Sequence, residues 1–151
     1  MSPRSFVGSA LSFVLVAGLA APLAGCGSST EILQIPTSWT LQTSRSHALP
    51  DTVPNSTPVI VITSGSAQIS DNHDYTFTIH GTTDGVQGVV ASDAGTWSIS
   101  SSTFLFRSSS SSPHVDPYVG AFNGSTFNVA MPASIVHSSD PSVAMVFVTA
   151  P

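Results

Sequence analysis

Beyond residue 26 the chain is nearly stripped of the residues that build helices. It holds no lysine, a single glutamate (Glu31) and four leucines, Leu33, Leu41, Leu49 and Leu105, so the strong helix formers are missing. In their place stand Val, Ile, Thr, Phe, Tyr and Trp in short runs, cut by Gly, Pro, Asp, Asn and Ser. That is the vocabulary of strands and turns. The clearest run is Asp74–His80, where Tyr75, Phe77 and Ile79 fall on one face and Thr76, Thr78 and His80 on the other, the two-residue period of a half-buried strand.

The same reading places strands at Ser38–Ser44, Val59–Thr63, Ser66–Ser70, Val86–Ala91, Thr96–Ser100, Thr103–Ser108, Tyr118–Phe122, Ser125–Met131 and Ser142–Thr149. Turns are expected at Ser64-Gly65, Asp84-Gly85, Asp93-Ala94-Gly95 and Asn123-Gly124, with Trp97, Ile99, Phe104 and Phe106 pointing inward. Residues 45–57, with Pro50 and Pro54, read as a polar loop without a strand. Residues 132–141 read as a connection with room for one helical turn. Many short strands at roughly ten-residue spacing imply a barrel or a sandwich. Short turns favour antiparallel pairing of neighbours in an up-and-down meander; an Ig-like β-sandwich is the alternative.

Composition narrows the function classes. Only 7% of residues are charged against 41% hydrophobic, and 28 Ser and 15 Thr supply the polar surface instead. Three arginines face eight acids, for a formal net charge of −5. A nucleic-acid binder needs clustered Lys and Arg against the phosphate backbone, and none is present. A Walker-type phosphate loop fails for want of its lysine.

The first 25 residues read as an export signal. Arg4 gives a positive start, Phe6 to Ala21 an apolar stretch, and Pro22 and small residues follow, the pattern of a cleaved secretory segment. Then comes Leu23-Ala24-Gly25-Cys26, ending on the only cysteine of the chain. These four residues resemble the lipobox of bacterial lipoproteins at every position. The resemblance implies that Cys26 becomes the lipidated N-terminus, that the chain attaches to a membrane of the bacterial envelope, and that residues 26–36 form a tether before a single β-domain over 37–151. A lone cysteine in an exported chain has no internal disulfide partner, and each buried acyl CH₂ is worth about 0.8 kcal/mol of membrane binding. Gly27, the second residue after cleavage, carries no acidic retention signal, which leaves sorting to an outer membrane open.

A second resemblance lies in the β-domain. His73-Asp74-Tyr75-Thr76-Phe77, Asp93-Ala94-Gly95-Thr96-Trp97-Ser98-Ile99, Thr103-Phe104-Leu105-Phe106, and Tyr118-Val119-Gly120 before Asn123-Gly124-Ser125-Thr126-Phe127 are similar to lipocalin-like domains of envelope lipoproteins, with Trp39 on the first strand. This implies a small barrel around an apolar ligand site. Thr37-Ser38-Trp39 lacks the glycine of the Gly-x-Trp found in secreted lipocalins, so no ligand class is carried over.

Signs of catalysis are sparse. There is no Gly-x-Ser-x-Gly elbow, no His-Glu-x-x-His and no cysteine pair for zinc, and the aspartates sit mainly at expected turns. The expectation is a non-enzymatic protein without metal or cofactor. Asp71-Asn72-His73-Asp74 offers oxygen and imidazole ligands for a cation, and His114-Val115-Asp116 could join it in space although nothing in the sequence requires it, but a polar hairpin turn explains the first cluster more simply. The aromatic residues Trp39, Tyr75, Phe77, Trp97, Phe104, Phe106 and Phe127, with Tyr118 and Phe122, either line a site for a small apolar or amphipathic ligand or fill the core. The favoured reading is a lipid-anchored envelope protein that binds such a ligand; the alternative is a structural or interaction module on the same tether.

Overall fold

The computed structural model describes residues 35, 37–101, 103–111 and 114–151. The expected export signal, Cys26 and all of the expected tether but Ile35 lie outside the described residues. The elements are β1 (Ser38–Ser44), β2 (His47–Ala48), β3 (Asp51–Val53), β4 (Ile60–Ile69), β5 (Asp74–Thr83), β6 (Val86–Ser100), β7 (Thr103–Ser108), β8 (Tyr118–Asn123), β9 (Thr126–Pro132), α1 (Ala133–Val136) and β10 (Ser142–Thr149).

Eight of the strands close on themselves. From β4 to β10 each strand pairs antiparallel with the next, and β1 seals the sheet by pairing β10 on one side and β4 on the other. Trp39 of β1 stands opposite both Thr149 and Ala67. Closure removes the unpaired edges that an open sheet would leave, and it replaces the sandwich alternative with an antiparallel barrel. The strand order departs from a simple up-and-down meander at one place, where β2 and β3 are inserted between β1 and β4 and pair outside the closed ring.

Alternation along the strands sorts side chains as their period demands. Tyr75, Phe77 and Ile79 of β5, Phe127, Val129 and Met131 of β9, and Val143, Met145 and Phe147 of β10 are all buried. Each such side chain contributes roughly 1.5–3 kcal/mol by leaving water. The outer faces carry Thr76, Thr78, Ser92, Thr96 and Ser98 in place of charged residues.

β1 begins at the barrel end where the β4–β5 and β8–β9 hairpins turn, as Thr37 O accepts from Ile69 N and Ser38 O from Ala150 N. α1 lies at the opposite end, between β9 and β10, and packs against β6 with Ile135 and Val136 buried. The expected hairpin at Asp84-Gly85 is present, with φ of 49° and 82°, as a type I′ turn requires.

Four local expectations are corrected. The 45–57 loop contains β2 and β3. Arg45 and Ser46 turn the chain at positive φ, and Asp51–Val53 pairs with β4, a tertiary contact that the prolines do not obstruct. Ser64-Gly65 is not a turn, because β4 runs through it with a register shift between Ile62 and Ser64. Gly65 is buried in an inward position too tight for a side chain, and a Cβ there would stand 2.8 Å from Ile79 Cδ1. Asp93-Ala94-Gly95 is not a turn either; β6 is continuous for 15 residues. Finally, Trp97 is buried but Ile99 is 43% exposed. The β5 ladder stops at Thr96, so Ile99 projects past the part of the sheet that has a second neighbour.

Candidate functional site

The seven aromatic residues singled out above come together inside the barrel. Trp39, Tyr75, Phe77, Phe104, Phe106 and Phe127 are at most 2% exposed and Trp97 is 8% exposed. Their rings pack on one another: Phe77 lies 5.3 Å from Tyr75, 5.4 Å from Phe106, 5.6 Å from Phe147 and 6.3 Å from Phe127, centroid to centroid. Trp39 meets Phe122 edge-on at 5.6 Å and Phe127 at 5.7 Å, and Trp97 meets Phe104 at 5.3 Å. These spacings are those of aromatic groups in mutual contact. The rings occupy the space that a ligand inside the barrel would need.

The polar feature of the interior is Asp93, which the turn expectation had hidden. It lies on β6, two residues past Ala91 and four before Trp97, in phase with inward positions, and is 6% exposed. Its carboxylate accepts from three hydroxyls. Tyr75 Oη and Tyr118 Oη each donate to Oδ2 at 2.6 Å, and Ser108 Oγ donates to Oδ1 at 2.5 Å. The donors come from β5, β8 and the end of β7, so only the closed sheet brings them together. Burial pushes both phenols well above their usual range, and hydrogen bonding to the Asp93 carboxylate pushes them further. The tyrosines are therefore held as neutral donors.

No positive charge joins the cluster. The ion pairs among the described residues are Arg45 with Asp51, bidentate through Nε at 3.1 Å and Nη2 at 2.5 Å, and exposed His114 with Asp116 at 3.5 Å. Arg107 is exposed. A carboxylate has about four lone-pair sites; three are engaged here, and none faces a cation.

Asp93 also lines a cleft. β6 pairs with β7 only from Gly95 onward, and Ser110, Val115 and α1 border the stretch of β6 before it. Between them is a cleft of about 290 Å³ lined by Val89, Val90, Ala91, Val115 and Ile135 on its apolar side. Ser92, Asp93, Ser110, Ser134 and His137 line the rest. A second depression, bounded by Thr76, Ser92, Ala94, Ser109 and Ser110, meets the same aspartate. The lining of the cleft is thus mixed, with an apolar side and a more extensive polar side that includes the Asp93 carboxylate.

Of the other candidate groups, Val115 and His137 reach the cleft, whereas the Asp71–Asp74 cluster does not line it. Asp71-Asn72-His73-Asp74 forms the β4–β5 hairpin. Asn72 Nδ2 donates to Asp74 Oδ2 at 2.8 Å, His73 N to Ser70 O and Ser70 N to Asp74 O, while the His73 ring lies against Trp97 at 4.9 Å. His47, His80 and His137 are exposed. No group of three His, Cys, Asp or Glu among the described residues is placed to hold a metal ion. The signal that would have found Asp93 is its phase with Ala91 and Trp97; the Asp-Ala-Gly sequence reads locally as a turn and masks it.

Protein-family models, curated proteins and solved structures were each compared with the chain, and none matches it. The fold and the site thus define the molecule by themselves: a small closed antiparallel β-barrel with an aromatic core and one buried carboxylate at the wall of a cleft.

Proposed function

We propose that this chain is an exported, non-enzymatic protein of the bacterial envelope, held on a membrane by lipid on Cys26, whose barrel binds a small amphipathic molecule. The binding place is the Asp93 cleft rather than the barrel interior. One observation carries the reading. The interior is packed with rings, whereas the cleft joins Val89, Val90, Val115 and Ile135 to a carboxylate whose hydrogen-bond partners are hydroxyls rather than an arginine. Anchoring is supported by the apolar leader, by Leu23-Ala24-Gly25-Cys26 and by the absence of any second cysteine.

Fractionation of cells producing the full-length chain and its Cys26→Ser variant tests the anchor. The expected outcome is membrane association for the first and its loss for the second; equal membrane fractions refute lipidation at Cys26. Native mass spectrometry of the purified protein tests the binder, with a co-purifying small molecule expected and its repeated absence counting against it.

An interaction module is favoured by a different observation. The outer face of β7–β10 carries an apolar groove edged by Val119, Ala121, Ala130, Ala144 and Val146, with Val119 49% exposed. On that reading Val119→Asp abolishes a specific cross-link to an envelope partner; an unchanged cross-link rejects it.

A further inference from the structure

We infer that the cleft selects a small organic cation, an ammonium group carrying a short apolar chain, with Asp93 as its counter-ion. This deepens the proposed binding function and rests on it. An ionised carboxylate taken out of water costs several kcal/mol unless it is paired. At Asp93 the three hydroxyls supply hydrogen bonds but no charge. Tyr75, Tyr118 and Ser108 are hydroxyl donors, so no arginine is among the hydrogen-bond partners of the carboxylate.

Besides the five histidines, of which His137 lines the cleft, the basic side chains after residue 26 are Arg45 and Arg107. Arg45 is committed to Asp51 and to Thr52 O at 2.7 Å, and Arg107 is exposed on the outside of β7. The protein thus provides the first three partners of the carboxylate and leaves its charge for something that enters from the cleft. Three features define what enters. A positive group with N–H donors satisfies the remaining lone pair at Asp93. Ser134, exposed on α1, lines the same cleft and offers a hydroxyl oxygen to a further N–H group. Val89, Val115 and Ile135 accept a hydrocarbon portion. A volume of about 290 Å³ gives room for a short chain. An anion meets the Asp93 charge unfavourably, and a bare metal ion leaves the apolar wall unused.

The test compares three probes of equal chain length: hexylammonium, hexanol and hexanoate. Each is titrated into the full-length protein, membrane-reconstituted or free as the Cys26 fractionation dictates, and followed by amide chemical shifts at Ser92, Asp93 and residues 133–137. The expected order places hexylammonium roughly ten-fold or more tighter than hexanol, because a charge-assisted hydrogen bond replaces a neutral one, with hexanoate weakest. Asp93→Asn is expected to erase the preference for the ammonium over the alcohol. Should that variant fold poorly, Ser134→Lys on the exposed face of α1 serves instead: its own positive charge is expected to expel hexylammonium while hexanol still binds. Equal binding of hexylammonium and hexanol overturns the cation inference but leaves a ligand-binding cleft. Preference for hexanoate overturns it outright. Cleft amides that respond to none of the probes overturn the cleft reading along with it.

Discussion

Replacing Phe77 by alanine separates a structural core from a ligand chamber. Phe77 has no exposed surface and touches the rings of Tyr75, Phe106, Tyr118, Phe127 and Phe147 at centroid distances of 5.3–6.5 Å. Removing a fully buried phenyl ring costs its transfer free energy plus the cavity it leaves, about 3–5 kcal/mol together. The neighbours belong to β5, β7, β8, β9 and β10, strands locked in one closed sheet, so the hole has little freedom to collapse and the upper half of that range applies. Against a total stability of about 5–15 kcal/mol for a domain of this kind, the change is severe. With a urea slope of about 1.5 kcal/mol/M it lowers the unfolding midpoint by roughly 2 M or more, and it lowers Tm by about 12–20 °C. The assay is equilibrium urea unfolding of both chains, read by far-UV circular dichroism and by tryptophan fluorescence, with the slope required to stay constant. Benzene, which enters engineered apolar cavities, is expected to restore part of the loss. A change below about 1 kcal/mol refutes the reasoning, since a ring that borders open space loses few contacts when it is cut away.

Further outcomes follow from the polar groups and the tight backbone contacts. The chain has only two tyrosines, and both have raised folded-state pKa values, so stability is constant in this respect below pH ~10 and falls as pH rises above it; unfolding titrations in the alkaline range should show that decline, and Tyr75→Phe with Tyr118→Phe should flatten it. Tyr118→Phe at neutral pH removes one of two donors to Asp93 Oδ2 and is expected to cost about 1–3 kcal/mol, measured by denaturant unfolding. Arg45→Ala leaves Asp51, itself 6% exposed, without its bidentate partner; the expected loss is about 2–3 kcal/mol, the low end for a broken buried pair because Arg45 is partly exposed, and thermal unfolding checks it. Gly95→Ala puts a Cβ 2.0 Å from Arg107 O, which should part β6 from β7 and speed amide exchange at residues 95–100, whereas Gly88→Ala meets nothing within 4 Å and should leave exchange unchanged.

Much of this architecture is legible in the residues alone. Ser38–Ser44, Thr103–Ser108 and Ser142–Thr149 are strands from end to end as their alternation implies, because a two-residue hydrophobic period is a local property that any one-sided sheet will read the same way. The aromatic positions on β5, β7 and β9 face inward for the same reason. The Asp84-Gly85 turn follows from backbone preference within two residues. These are short-range effects, and neighbouring residues contain them.

What tertiary structure alone decides involves residues far apart in the chain. Gly65 and Gly95 read as turn residues but lie within long strands, since the space each leaves empty is claimed by Ile79 and Leu41 in one case and by the β7 backbone in the other. The ring closes only because β1 pairs with β4 and β10 together, a register that no local pattern encodes. Asp93 becomes a buried carboxylate through hydroxyls 15, 18 and 25 positions away. By itself the sequence determined a β-domain with an aromatic interior and a hydroxyl-rich surface, together with the lipobox-like leader. Only the closed barrel decided that the interior is filled with rings and that a buried carboxylate held by three hydroxyls stands at the wall of a cleft, because burial and hydrogen bonding depend on what surrounds a group in space.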